Sequence, residues 1–409
     1  MSGEDAEAAP GDASPLRRRP PPPIPLSVVT GFLGAGKSTL LNRLLRDPAL
    51  SDALVIVNEF GEIGLDHLFI ESAGDDLLVM SSGCLCCSIR GDLVTTLEDA
   101  LRKRDNGRAP PFGRVVIETT GLADPAPVLH TVMSHPYLTL RFRLDGVITL
   151  VDAVNGAATL DAHEEAVKQA AVADRIVLSK TDLLAKTELV SQDSGGALSA
   201  LKTRLARLNP GAPILDAAAG EATAAALFNA GLYDPQTKSL DVRRWLAAEA
   251  YEPKHEHEHE HEHEHEHEHE AHGHGHGHDV NRHDDRIRAF CLRSETPIAP
   301  AAFDLFLDML RAAHGPGLLR VKGIVSVADA PEHPVVIHGV QHVFHPPVRL
   351  QGWPDAERAT RIVFILKDIA PSFVEGLWAA LVGAPRVDQP DAAALADNPL
   401  APRKSGLFS

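Results

Sequence analysis

The segment GFLGAGKST, Gly31 to Thr39, constrains this chain more than any other feature. It matches the pattern G-x-x-x-x-G-K-S/T and stands between a β-branched apolar run, Leu26 to Thr30, and a helical pattern, Lys37 to Arg46. Gly31, Gly34 and Gly36 let the backbone curl so that its amides face phosphate oxygens, and the following helix adds its positive N-terminal end. Lys37 is expected on the β- and γ-phosphates, Ser38 on Mg²⁺ and Thr39 near the α-phosphate. The alternative is a glycine-rich turn that binds nothing, against which the strand, loop and helix setting argues.

Strand and helix patterns alternate downstream. Strands are expected at Leu54 to Val57, Leu77 to Met80, Arg114 to Glu118, Gly146 to Val151, Ile176 to Ser179 and Pro213 to Asp216. Helices are expected at Asp92 to Arg104, Pro125 to Ser134, Ala162 to Ala173 and Leu198 to Leu208. Near-continuous apolar strands interleaved with helices imply a doubly wound α/β domain that binds its ligand at the carboxyl edge of a parallel sheet.

A smaller α+β domain is expected further on. Its strands fall at Ile287 to Leu292, Leu318 to Val327, Val335 to Phe344 and Arg361 to Leu366, and its helices at Pro300 to Ala313 and Pro371 to Leu381. The implied division is a disordered tail over 1–25, the nucleotide domain over 26–250, a flexible histidine-rich linker over 251–285, the smaller domain over 286–390 and a tail over 391–409.

The formal charge is −17, but eight glutamates alternate with histidine between His255 and Glu270, and the rest carries about −9. With lysine and arginine scattered, nucleic acid is not an expected partner. No run approaches the ~20 apolar residues of a membrane span, and the first 25 residues hold no apolar signal core, so a cytoplasmic location is expected. Of four cysteines, Cys84, Cys86 and Cys87 fall in one short loop, a distribution that suits a reduced thiolate site better than a disulfide framework.

Glu118-Thr119-Thr120-Gly121 follows a strand, where an acidic residue can serve the magnesium shell or place the attacking water and a glycine can sense the γ-phosphate; a plain strand cap is the alternative. Ser179-Lys180-Thr181-Asp182 resembles the guanine-reading N-K-x-D pattern. Asp182 can accept from guanine N1 and N2, and Lys180 can lie along the base; helix capping is the competing account. Cys-x-Cys-Cys alone fits a structural or redox role about as well as a soft metal. Twelve histidines between His255 and His278 could hold transition metals weakly, or form an inert solvated linker or an adventitious trap. His67, His130, His135, His314 and His342 read as surface or packing residues, and Cys291 as a core thiol.

Taken together, GFLGAGKST, Asn58-Glu59-Phe60-Gly61-Glu62, Gly83-Cys84-Leu85-Cys86-Cys87, Glu118 to Gly121, Ser179 to Asp182 and Arg320-Val321-Lys322-Gly323 make the chain similar to CobW-type metal-chaperone GTPases. That resemblance implies slow intrinsic GTP hydrolysis involving Lys37, Glu118 and Gly121. It implies a metal held by Cys84, Cys86 and Cys87 with Glu62 as a nearby oxygen ligand, and a nucleotide-sensitive switch over Asn58 to Glu62. It also implies a C-terminal domain that meets a client metalloprotein. Zinc is the expected ion. A cobalt or nickel insertase and a non-enzymatic metal buffer are the rival accounts, and self-association into a homodimer is left open.

Overall fold

The computed structural model describes residues 22–60, 77–82, 88–187, 194–228 and 286–382. Among these, the first domain holds seven strands: β1 Ile24–Gly31, β2 Ala53–Phe60, β3 Leu77–Ser82, β4 Arg114–Glu118, β5 Phe142–Asp152, β6 Arg175–Ser179 and β7 Ile214–Asp216. All neighbouring pairs run parallel, in the order β3-β2-β4-β1-β5-β6-β7. The helices are α1 Lys37–Leu44, α2 Ser88–Asp105, α3 Ala126–Ser134, α4 Pro136–Arg141, α5 Gly156–Ala162, α6 Glu164–Ala171, α7 Thr181–Thr187, α8 Ser194–Leu208 and α9 Ala224–Leu227.

The period of two in β1 shows how the sheet is buried on both faces. Leu26 and Val28 join the apolar layer containing Leu97, Leu129, Val167 and Leu205, whereas Val29 points to the opposite layer with Leu41 and Leu44. The helix expected over Ala162 to Ala173 is α6, and α5 precedes it. His163 between them is extended, at φ −133° and ψ 111°, and its ring stacks on Phe32 with centroids 4.4 Å apart.

The second domain is an antiparallel sheet of β8 Ile287–Ser294, β9 Leu318–Val325, β10 Val335–Val340, β11 Val343–Phe344, β12 Val348–Arg349 and β13 Thr360–Lys367, with α10 Pro300–His314 and α11 Pro371–Val382. The strand expected over Val335 to Phe344 is a hairpin, its two-residue turn made by Gln341 and His342. One face packs Val321, Ile362 and Phe364 against Phe306, Leu310 and Trp378 of the helices. Cys291 sits in β8 opposite Val363, and burial pushes its thiol up to about 11, so it is inert at neutral pH.

The other face meets the first domain. Ile287, Leu319, Val340 and Ile365 join that domain's core, and Arg320 and Lys322 of β9 both donate to Asp174 Oδ1 at the foot of β6. Asp174 Oδ2 accepts from the Val147 amide at 2.9 Å. Burial alone would push the Asp174 carboxyl up, but the two cations outweigh it and hold it well below the usual range. A second interdomain pair joins Lys367 to Glu164.

Two histidines, His338 and His345, lie on this face with rings 5.1 Å apart, and burial followed by the Arg320 charge pushes both down, His345 to about 4. A histidine whose folded-state pKa is depressed stays neutral while the unfolded chain already binds the proton. Stability is therefore expected to fall as pH drops below 6.5 and to go on falling to about 4, by on the order of 3 kcal/mol for His345. Urea unfolding at several pH values checks this, and His345→Leu should flatten the slope in that window.

Candidate nucleotide and metal site

The phosphate loop follows β1, and three of its residues adopt backbone angles that side chains resist: Gly31, Gly34 and Gly36 have φ of +142°, +73° and +89°. At Gly31 space alone forbids a side chain, since a Cβ would lie 2.4 Å from the Leu150 carbonyl. Lys37 opens α1 and its Nζ donates to the carbonyls of Gly31 at 3.0 Å and Phe32 at 3.3 Å, so the ammonium is folded over the loop that would cradle phosphates. Thr39 is exposed on the first turn of α1.

Ser38 and Glu118 come together although far apart in sequence. Ser38 Oγ donates to Glu118 Oε1 at 2.9 Å. Glu118 ends β4, paired with Val29 on one side and Val57 on the other, and is 4% exposed. Thr119 ties the next residue to β1, its hydroxyl donating to that of Thr30 at 2.8 Å. Gly121 then presses on the phosphate loop so closely that a Cβ would stand 2.6 Å from the Leu33 amide nitrogen. Gly121→Ala is expected to cost about 1–3 kcal/mol of stability and to weaken nucleotide binding about tenfold or more through the displaced loop, which calorimetric titration would read.

Ser179, Lys180 and Asp182 sit at the carboxyl end of β6 and the start of α7. Ser179 Oγ donates to the Ala35 carbonyl at 2.7 Å, so the serine standing where N-K-x-D has asparagine ties this loop to the phosphate loop. Lys180 holds a left-handed backbone, φ +60°, and its Nζ donates to Asp152 Oδ2 at 2.7 Å. Burial raises the Asp152 carboxyl, but hydrogen bonds from Lys180, Asn155 and the backbone bring it below the usual range. Asp182 is exposed, its carboxylate available to a ligand.

The loop after β7 matches no motif that would mark it in the sequence, since Asp216 and Glu221 are separated by three alanines and a glycine. Asp216 Oδ1 accepts from Thr181 Oγ1 at 2.7 Å and from the amides of Ala218 and Ala219, and Arg43 of α1 donates to the carbonyls of Ala217 and Ala222. It therefore walls the same edge as Lys180 and Asp182.

Cys84, Cys86, Cys87 and Glu62 lie outside the described residues, as does the tract His255 to His278. The flanking elements are described. β2 and β3 pair in parallel through Phe60 and Ser82, so the segment after Phe60 and the segment after Ser82 leave adjacent strands at the same sheet edge as the phosphate loop. With strands roughly 4.8 Å apart, the carboxyl end of β3, three positions from β1, stands about 14 Å from the start of the phosphate loop. Among the described residues no group of three or more histidine, cysteine, aspartate or glutamate side chains could hold a metal ion. Nor, among them, is any helix long and apolar enough to cross a membrane.

This fold and loop set define a nucleotide-binding domain of the P-loop GTPase class. Residues 25–216 match the family described as CobW/HypB/UreG, nucleotide-binding domain, and residues 287–382 match the Cobalamin synthesis protein cobW C-terminal domain. The chain is 40% identical over 207 residues to the zinc chaperone YjiA of Escherichia coli (strain K12), a match that covers 51% of this chain and 61% of that protein. It is 29% identical over 395 residues to the zinc chaperone CobW of Sinorhizobium sp, covering 88% of this chain and 97% of the relative. The crystal structure of Zn(II)-bound YjiA GTPase superposes with a TM-score of 0.61 at 27% identity over 88% of this chain and 99% of that one. The chain belongs to the CobW family of P-loop GTPases.

Proposed function

We propose that the protein is a GTP-hydrolysing metallochaperone that holds zinc at Cys84, Cys86 and Cys87, with Glu62 nearby, and passes it to a client metalloprotein. The observation carrying this reading is topological. Asn58 to Phe60 end β2, and the phosphate loop, Glu118, the rest of the segment to Glu62 and the cysteine segment follow β1, β4, β2 and β3, which are neighbours in that sheet. A triphosphate and a thiolate-bound ion so placed can bias one loop set, as γ-phosphate-ordered switches do. Its relatives' names as zinc chaperones favour zinc over cobalt or nickel.

In this reading Lys37 neutralises charge on the β- and γ-phosphates, Glu118 orients the attacking water and the Gly121 amide faces the γ-phosphate. Ser38 and Glu118, already within hydrogen-bond reach, supply the hydroxyl and carboxylate that a Mg²⁺ shell needs. Lys180 and Asp182 read guanine. A reducing compartment, the cytoplasm, keeps the three sulfurs as zinc ligands.

Zinc stoichiometry of the purified, reduced protein tests the metal half: the native chain should retain zinc, and replacing Cys84, Cys86 and Cys87 with serine should abolish the tight site while leaving nucleotide affinity equal to that of the zinc-free native chain. Zinc retention by the triple variant would overturn it. We further assign the histidine tract as a loading store. Deleting residues 255–278 should lower total zinc bound while sparing both the tight site and GTP turnover, measured by equilibrium dialysis and phosphate release.

A further inference from the structure

The Glu118 to Gly121 loop continues into Leu122-Ala123-Asp124, and this extension is held from two sides. From α6, the buried Gln169 side-chain amide donates to the carbonyls of Gly121 at 3.3 Å and Ala123 at 3.0 Å, while the Gln169 backbone carbonyl accepts from Thr149 Oγ1. From the second domain, Gln341 Nε2 donates to Asp124 Oδ2 at 2.8 Å. Asp124 uses its other oxygen, Oδ1, to accept from the Ala126 amide at the start of α3. Beside this bond His342 meets His130 of α3, ring centroids 4.5 Å apart.

Gln341 occupies its place against local preference. It is the first residue of a two-residue hairpin turn and has φ +53°, a backbone that glycine or asparagine adopts readily and glutamine does not. A strained residue whose side chain bridges two domains onto a nucleotide-site loop points to a role beyond the turn itself. We infer that Gln341 is a positioning residue: through Asp124 it lets the C-terminal domain set the arrangement of the loop that carries Glu118 and Gly121. The chain of contact is short. Gly121 abuts Leu33 of the phosphate loop, so a shift at Asp124 reaches the phosphate site within three residues. By linkage, a protein docked on the β10–β11 turn changes nucleotide preference, and nucleotide changes its docking by the same factor.

This inference rests on the guanine-nucleotide reading above, and its test separates the two. Affinities for a non-hydrolysable GTP analogue and for GDP are measured on the full chain, together with the melting midpoint. Gln341→Gly suits the turn and should leave melting unchanged or raised, while the analogue-to-GDP affinity ratio falls about fivefold, the low end of typical coupling between sites. Gln341→Asn keeps the backbone preference but ends one methylene short, and should behave the same way. Asp124→Ser retains a helix-capping oxygen and should produce the same fall, with the double variant no worse than either single one. An unchanged ratio in Gln341→Gly, or additive losses in the double variant, overturns the inference while leaving the guanine reading intact. A native chain that takes up no guanine nucleotide overturns both.

Discussion

Replacing Asp174 with alanine is expected to lower the stability of the whole molecule by about 3–5 kcal/mol and the melting midpoint by on the order of 10 °C. The cause is the company the carboxylate keeps. Arg320 is 3% exposed, and its Nε and Nη1 make no hydrogen bond among the described residues; Asp174 is the anion it shares with Lys322 at the domain boundary. Removing the anion leaves two cations in a buried face beside His338 and His345, which must stay neutral there. Replacing all three of Asp174, Arg320 and Lys322 with apolar residues of similar volume should restore most of the loss, because an ion cluster well matched to its burial is often no more stable than packed hydrocarbon. Thermal unfolding of both variants checks the pair of outcomes. The pH dependence has a definite sign. The Asp174 carboxyl is depressed in the folded chain, so its contribution is full above the unfolded value of 3.8 and is lost as pH falls through the folded one. That acid loss adds to the one that begins near 6.5 for the histidines.

The second large effect is on turnover. Lys37→Ala should lower GTP hydrolysis by about 10²–10³-fold, the usual cost of removing one preorganised group facing developing phosphate charge. The fold should persist, since the Lys37 ammonium donates to loop carbonyls that glycine backbone geometry already positions. Single-turnover phosphate release measures the rate. The same variant separates a chaperone from a passive metal buffer: cells limited for zinc should fail to grow on Lys37→Ala if hydrolysis drives transfer, and should grow normally if the chain merely stores ions.

Much of this architecture is legible from local pattern. GFLGAGKST predicts strand, loop and helix, and β1 and α1 occupy those positions. The parallel strands reveal themselves as apolar runs because both faces are buried, as Val115, Val116 and Ile117 illustrate. Ser38 and Glu118, both singled out in the sequence, meet across a separation of 80 residues. What escapes local reading depends on tertiary contact. Asp174 bonds to residues 146 and 148 positions away, and Gln341 to one 217 positions away, so no window of sequence contains both partners. Gln169 lies inside a helical pattern where a buried amide looks like any polar residue, and only the carbonyls of Gly121 and Ala123 opposite it explain why it is there. The expected helix from Ala162 starts instead after His163, whose extended backbone separates α5 from α6 and whose ring stacks on Phe32.

In the proposed function, nucleotide and metal occupy neighbouring pockets along one sheet edge and act on one another. Zinc affinity of the reduced protein, measured by competition with a chromogenic chelator in the presence of a non-hydrolysable GTP analogue and again with GDP, tests that directly. Affinities that differ by about fivefold or more between the two nucleotides are predicted; equal affinities would contradict the account.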